Sequence, residues 1–244
     1  MGYHSIIYIF LFLPVCLLAY QLAPEKWRGR VLLGFSWIFF YLLSGKLLVY
    51  LLGTTLLTHC IGIWLTLLKT EEAKAVEGMD RKQKKVIKAE YQKKGRRVLI
   101  LGILILLGVL GYLKYFDFFT TNLSYLFEHP VLEGWRPEKL LMPIGISFYT
   151  LQAIGYMTDV YWGTIQAETE IWRTALFLGF FPQIMEGPIA RYSDVADTLY
   201  TGKSLEYRNV VDGYVRIFWG LFKKMVIADR MALMVNQVFD HYAD

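Results

Sequence analysis

The sequence contains little charge for its length and is rich in apolar residues. Only 19% of its 244 residues are charged, whereas 55% are hydrophobic and 16% are aromatic. Ordinary soluble domains have an apolar share of about 45–50%. The composition therefore excludes an ordinary soluble domain and predicts an integral membrane protein.

Cysteine is also scarce. Cys16 and Cys60 each lie inside an apolar run and fit no metal-ligand spacing. We interpret them as small buried hydrophobic residues, so the sequence predicts neither a disulfide framework nor a metal site. The net charge of +5 reflects lysines and arginines concentrated between apolar runs, as is typical of cytoplasmic loops of membrane proteins. Nucleic acid is therefore not an expected partner.

The short motifs of several common catalytic sites are missing as well. The sequence has no glycine-rich nucleotide loop, no Gly-x-Ser-x-Gly turn and no catalytic motif that pairs a histidine with a carboxylate. His59 lies in an apolar run without a nearby carboxylate in the sequence. We expect it to pack against a backbone carbonyl rather than to act as a ligand or catalyst. No catalytic residue and no bound cofactor are predicted.

Apolar runs of membrane-spanning length recur along the chain. A helix needs about 20 residues to cross a hydrocarbon core of about 30 Å. The pattern predicts an all-α fold, namely a polytopic transmembrane bundle of about six to seven spans. Some of its helices are expected to be broken or re-entrant. Residues 1–244 are predicted to form a single membrane domain. The predicted spans are residues 5–23, 31–43, 47–68, 98–116, 143–159, 171–184 and 209–233, and Pro143 is expected in the first turn of the fifth. Ser44-Gly45-Lys46 is a predicted interruption, and residues 194–207 are a predicted polar loop.

Residues 69–97 depart from this pattern, with eleven lysines and arginines against five aspartates and glutamates. We interpret the segment as a cytoplasmic juxtamembrane helix near the anionic leaflet. Three spans precede it, so the amino terminus is expected outside the cell. Acid-first pairs four residues apart favour a helix here. These pairs are Glu77 with Arg81, Asp80 with Lys84, and Glu90 with Lys94.

A helix-breaking stretch follows the apolar run at 171–184. Residues 180–192 read Phe-Phe-Pro-Gln-Ile-Met-Glu-Gly-Pro-Ile-Ala-Arg-Tyr, and each proline removes an amide donor and clashes with the preceding turn. At membrane depth such a break is tolerated only where protein buries it or it lines a wet cavity. Gln183, Glu186 and Arg191 are therefore candidate site residues. A helix end at the headgroup level is the alternative.

The last predicted helix carries a basic stripe. Asn209, Arg216, Lys223 and Arg230 recur every seven residues, so a regular helix places them on one face together with Asp212. Basic groups that face lipid are costly. The stripe is therefore expected to face protein, water or headgroups. Both an interfacial role and the lining of a substrate tunnel remain open.

Three blocks of sequence carry a family resemblance. The first block is Met-Pro-Ile-Gly-Ile-Ser-Phe-Tyr-Thr-Leu-Gln at residues 142–152. The second is Phe-Pro-Gln…Gly-Pro-Ile at residues 181–189, and the third is Gly-Leu-Phe-Lys-Lys-Met-Val-Ile-Ala-Asp at residues 220–229. In this order the blocks resemble the membrane-bound O-acyltransferases, in the branch that includes the membrane subunit of alginate O-acetylation. The earlier half of the chain matches only in its general pattern of apolar spans.

The resemblance implies a multi-pass acyltransferase of the bacterial plasma membrane that O-acetylates a cell-envelope or exported polysaccharide. Its implied substrate is an acyl thioester, either acyl-CoA or an acyl carrier protein, on the cytoplasmic side. Membrane lipid and an extracytoplasmic acyltransferase are the other implied partners. The candidate tunnel residues are Gln183, Glu186, Arg191, Arg216 and Lys223.

Other functions remain open. One, within the same family resemblance, is the transfer of D-alanyl or other acyl groups to teichoic acid. A transporter or channel is another, because broken helices and intramembrane charge suit transport equally well. A non-catalytic membrane scaffold is the third.

The resemblance also implies a catalytic histidine in a Trp-His-x-Ser context downstream of the third block. There it would act as general base on the acceptor hydroxyl, which would attack the thioester. None of His4, His59, His129 and His241 stands in that context. We therefore expect the chain to represent about the first half of such an enzyme and to be inactive alone.

Overall fold

The computed structural model describes residues 3, 5–127, 142–185 and 187–240. In these ranges the chain forms α-helices joined by turns and contains no β-strand, which confirms the predicted all-α class. The helices are α1 (Leu13–Leu22), α2 (Glu25–Ser44), α3 (Leu48–Val76), α4 (Arg81–Lys114), α5 (Phe116–Phe127), α6 (Ile146–Trp162), α7 (Ile171–Gly179), α8 (Tyr192–Tyr200), α9 (Tyr207–Phe222) and α10 (Asp229–Asp240).

Two helical stretches among the described residues are long and apolar enough to cross a membrane. They are Glu25–Val76, with 52 residues, and Arg81–Lys114, with 34 residues. Within the first, the short 3-10 turn Gly45–Leu47 separates α2 from α3, at the predicted interruption. Because a span needs about 20 residues, both stretches agree with the membrane protein that the composition predicts.

The chain divides into two compact units, residues 26–202 and residues 1–25 with 203–244. In the larger unit α3 packs against α4, α6 and α7, and α4 packs against α6. Gly102 of α4 allows a close approach, because a Cβ there would lie 3.2 Å from the sulfur of Met157 on α6. Small residues of this kind let membrane helices pack closely.

In the smaller unit, α1 is tied to the segment that precedes α9. The Tyr20 hydroxyl donates to the Lys203 carbonyl at 2.9 Å, and the Leu205 amide donates to the Gln21 side-chain oxygen at 2.9 Å. These two bonds join the beginning of the chain to a segment more than 180 residues later in the sequence. The smaller unit is therefore assembled from both ends of the described chain.

A π-helical turn, Lys223–Ala228, joins α9 to α10. The Asp229 amide donates to the carbonyl of Lys224, five residues earlier, and the Lys224 ammonium lies 3.1 Å from the Asp229 carboxylate. The extra residue in this turn rotates the side-chain positions of all later residues by about 100° around the helix axis. The prediction of one stripe that includes Arg230 assumed a regular helix, and it is wrong beyond Lys223.

Helix boundaries near the basic segment also differ from the prediction. A turn at residues 77–80, in which Gly78 has a φ of 78°, separates α3 from α4. Glu77 and Asp80 therefore lie outside α4 and are not on one helix with their predicted partners. The predicted pair of Glu90 and Lys94 is formed at 2.9 Å, on the exposed surface of α4.

Two further boundaries were predicted wrongly. Pro143 lies three residues before α6 rather than in its first turn, because Gly145 takes a left-handed conformation and the helix begins only at Ile146. Residues 194–207 were predicted to be a loop, but α8 covers the first part of this range. The helix forms there because Tyr192 and Tyr200 stand eight residues apart and both pack inward.

Candidate functional site

Two helix breaks meet in the larger unit, namely the turn at residues 142–145 and the stretch at 180–191. Gly145 has a φ of 70°, a conformation that glycine adopts without strain. A Cβ at this position would lie only 1.9 Å from the carbonyl oxygen of Ile184. The two breaks are thus in direct backbone contact, and each lies in a block that carries the family resemblance.

The second break is a tight turn with hydrogen bonds of its own. The Gln183 amide donates to the Phe180 carbonyl at 2.9 Å, and the Gly187 amide donates to the Gln183 carbonyl at 3.1 Å. A Cβ on Gly187 would lie 2.5 Å from the Gln183 Cα. The break predicted from Pro182 and Pro188 is therefore present, and glycine is needed to close it.

Two serines of α2 bond to the two breaks. The Ser36 hydroxyl accepts the Phe181 amide at 3.2 Å, and the Ser44 hydroxyl accepts the Ile144 amide at 3.0 Å. A helix break frees such amides, and a buried amide without an acceptor is costly. Sequence reasoning missed this role of the serines. The available signal was a serine at 36 and at 44 in the apolar part of α2 that follows Arg30.

The connection between α6 and α7 places a carboxylate, Glu168, beside the chain that leaves the second break. The Tyr192 hydroxyl donates to this carboxylate at 2.7 Å, and an Arg173 nitrogen lies 3.4 Å from it. Burial raises the pKa of Tyr192 above its usual range, which keeps the phenol a neutral donor. The Glu168 amide donates to the Tyr156 hydroxyl at 2.8 Å. These bonds fix the start of α8.

Aromatic packing also stabilises the start of α8, at Tyr192. The Tyr192 ring meets the rings of Tyr156 and Phe177 edge-on, with centroids 5.1 Å apart in each case. Tyr156 and Phe177 are each 1% exposed. Edge-to-face pairs of this kind add to the stability gained by burial alone. The cluster therefore anchors the exit of the second break on α6 and α7.

His59 lies in the same unit, on α3. Its Nδ1 atom is 3.2 Å from the hydroxyl of Thr174 on α7, and both residues are buried. The partner is thus a side-chain hydroxyl and not the backbone carbonyl that we expected. The pair links α3 to α7 inside the packed helices. His4, His129 and His241 lie outside the described residues.

A cleft of about 500 Å³, with several polar side chains in its lining, opens between α6 and residues 189–191. Gln152, Thr158 and Asp159 of α6 line it, together with Arg191 from the second break. The Gln152 amide group donates to the Phe177 carbonyl at 3.1 Å, which fixes this side chain in place. An amide, a carboxylate, a hydroxyl and a guanidinium together supply both donors and acceptors for a polar substrate.

The five predicted tunnel residues lie in different parts of the structure. Arg191 lines the cleft, whereas Gln183 is half-buried in the turn of the second break. Glu186 lies outside the described residues. Arg216 and Lys223 are exposed in the smaller unit, where the Lys223 ammonium stands 5.4 Å from the Trp219 ring. Across the described ranges, no three His, Cys, Asp or Glu side chains are grouped so as to hold a metal.

Fold and site together define a class, an α-helical membrane protein with irregular backbone and polar groups held among its apolar helices. Over 98% of its length the chain is similar to bacterial O-acetyltransferases. The probable alginate O-acetylase AlgI of Pseudomonas aeruginosa is 30% identical over 239 residues, which cover 42% of that protein. The peptidoglycan O-acetyltransferase of Helicobacter pylori is 27% identical over 274 residues, 46% of its length.

These comparisons confirm the predicted resemblance to the alginate O-acetyltransferase branch of the membrane-bound O-acyltransferases. The chain spans less than half the length of these relatives. The teichoic acid D-alanyltransferase of Bacillus subtilis is similar over a shorter range, 30% identical over 93 residues, or 37% of this chain and 24% of that protein. No family model and no solved structure matches the chain.

Proposed function

We propose that this chain is part of a membrane O-acyltransferase that moves an acetyl group onto a hydroxyl of a cell-envelope or exported polysaccharide. The observation that carries the proposal is the similarity to a probable alginate O-acetylase over 98% of the chain. Similarity to a peptidoglycan O-acetyltransferase over the same share supports a polysaccharide acceptor. Transfer of D-alanine to teichoic acid has less support, since that relative matches only 37% of the chain.

The site that we assign to this function is the cleft beside the second break. Arg191 would bond the anionic or carbonyl groups of a substrate, because a guanidinium presents several donors in a fixed plane. Gln152 and Asp159 would orient the substrate from α6. Gln183 and Glu186 would contribute from the break itself, and the acyl donor is an acyl thioester, presented as acyl-CoA or on a carrier protein.

Arg216 and Lys223 are also proposed as tunnel residues, on α9 and at the start of the π-helical turn. Lipid-facing cations are costly, so we propose that their exposed side chains face a polar passage or a protein partner. Their arrangement supports this, because both precede the extra residue of the π-helical turn and so remain on one helix face.

For the membrane arrangement we propose a single multi-pass domain of about six to seven spans in the bacterial plasma membrane. Residues 69–97 lie on the cytoplasmic side, because their lysines and arginines follow the positive-inside rule. α7 has nine residues and rises only about 14 Å, so α7 and the second break form a re-entrant element. The acyl donor binds at the cytoplasmic side, and an extracytoplasmic acyltransferase is a further partner.

A strain that lacks the gene for this chain tests the proposed function. We expect it to lose most of the ester-linked acetate that mild alkali releases from its envelope and exported polysaccharides, and to regain it when the gene is restored. Amide-linked acetyl groups serve as the internal control, because they resist this treatment. Unchanged ester-linked acetate would contradict the proposal, and a selective loss of ester-linked D-alanine would favour the teichoic acid alternative.

A further inference from the structure

A second cleft, of about 660 Å³, lies between the carboxy-terminal part of α3 and the first half of α4. Leu65, Leu68 and Gly95 give it an apolar wall, and Lys69 and Lys88 lie at its border. It is therefore amphipathic, with apolar surface and cationic groups in one cavity. An amphiphile with an anionic head matches that combination.

The charge around this cleft is strongly positive. Between residues 81 and 97, α4 carries nine lysines and arginines and one acid, Glu90, and Lys94 pairs with Glu90 at 2.9 Å. Glu72 of α3 also lines the cleft, so the lining contains one carboxylate together with the two lysines. The balance across the surrounding surface still favours an anion.

Lys69 is held in position rather than extended freely into solvent. Its ammonium donates to the Val160 carbonyl at 2.7 Å, at the end of α6. It also lies close to Gly163, where a Cβ would be 2.7 Å from the Lys69 nitrogen. An ammonium has three N–H donors, so the nitrogen that bonds Val160 can also bond an oxyanion in the cleft.

We propose that this cleft binds an anionic phospholipid, with the phosphate at Lys69 and Lys88 and an acyl chain along Leu65 and Leu68. Basic pockets between membrane helices on the cytoplasmic side bind such lipids because phosphate charge and acyl chain are satisfied together. The inference does not depend on acetyl transfer, since it stands on the shape and charge of the cleft and on the proposed cytoplasmic placement of residues 69–97.

Native mass spectrometry of the whole purified chain tests the site, with phosphatidylglycerol or phosphatidylcholine added in detergent. We expect retention of phosphatidylglycerol over phosphatidylcholine. Lys88→Gln should weaken phosphatidylglycerol binding about fivefold, the effect of removing one lysine near an anionic lipid. Lys85→Gln is the matched control, because this exposed lysine is on the same helix but does not line the cleft. It should change binding less than twofold.

The Lys69→Gln variant should weaken binding at least as much as Lys88→Gln. It also loses the bond to the Val160 carbonyl, so if Lys69→Gln fails to fold, Lys88→Gln decides the test. Equal weakening by Lys88→Gln and Lys85→Gln would overturn the proposal in favour of diffuse attraction to the helix. Displacement of phosphatidylglycerol by equimolar glycerol phosphate would overturn the acyl-chain contact. Displacement by equimolar coenzyme A would overturn the lipid assignment in favour of an acyl donor.

Discussion

Replacing Gly145 by alanine should destabilise the larger unit by about 2–5 kcal/mol. The added Cβ would sit 1.9 Å from the Ile184 carbonyl oxygen, and neither backbone can move without disturbing its own turn. Overpacking of this kind costs about 1–3 kcal/mol. The left-handed conformation at a φ of 70° adds about 1–2 kcal/mol for any residue with a Cβ.

Thermal unfolding of the detergent-purified protein measures this effect. For a chain of this size, 3 kcal/mol corresponds to a fall in Tm of about 6–12 °C. Gly108→Ala is the control, because nothing lies within 4 Å of a Cβ at that position of α4 and alanine favours a helix over glycine by about 0.5–1 kcal/mol. If both variants have the same Tm as the parent protein, the two breaks are not in contact.

Phe177→Ala should lower stability by about 3–5 kcal/mol, the usual cost of removing a buried aromatic ring. Phe177 is 1% exposed, and its ring centroid lies 5.1 Å from that of Tyr192 and 6.1 Å from that of Tyr156. The substitution removes one side of the pocket that holds Tyr192. We therefore expect the chain after the second break to loosen before the whole unit unfolds.

Limited proteolysis and thermal unfolding together follow this change. Cleavage between residues 187 and 200 should become faster in Phe177→Ala at a temperature where the parent protein resists. Phe118→Ala is the matched control, since Phe118 is 62% exposed on α5 and its removal should alter stability by no more than about 0.5 kcal/mol. Equal behaviour of the two variants would show that the aromatic cluster does not anchor α8.

Local chemistry explains what the sequence could predict. Pro182 and Pro188 each interrupt a helix and Gly187 weakens it further, so the second break was predictable. The all-α class followed from the apolar runs, and Gly45 marked the interruption between α2 and α3. The resemblance carried by three short blocks was confirmed because the similarity extends over nearly the whole chain.

The contacts that the sequence did not predict join groups that are distant in the sequence. Nothing near Gly145 in the sequence indicates the Ile184 carbonyl that excludes a Cβ there. Ser36 meets the Phe181 amide 145 residues later, a pairing that only the packed helices create. The π-helical turn after Lys223 was missed for a different reason, since its residues fit a regular helix equally well.

The proposal that the cleft beside the second break serves acetyl transfer is tested most directly by Arg191→Gln. In cells whose own gene is removed, we compare ester-linked acetate in polysaccharide when the full-length gene is supplied unchanged, with Arg191→Gln or with Arg208→Gln, at equal membrane levels of the protein. Arg208 is exposed on α9, away from the lining of the cleft. Loss of a charge-assisted bond of about 1.5–3 kcal/mol predicts an acetate content at least about tenfold lower for Arg191→Gln alone. Parental acetate levels with Arg191→Gln would contradict the assignment of this cleft.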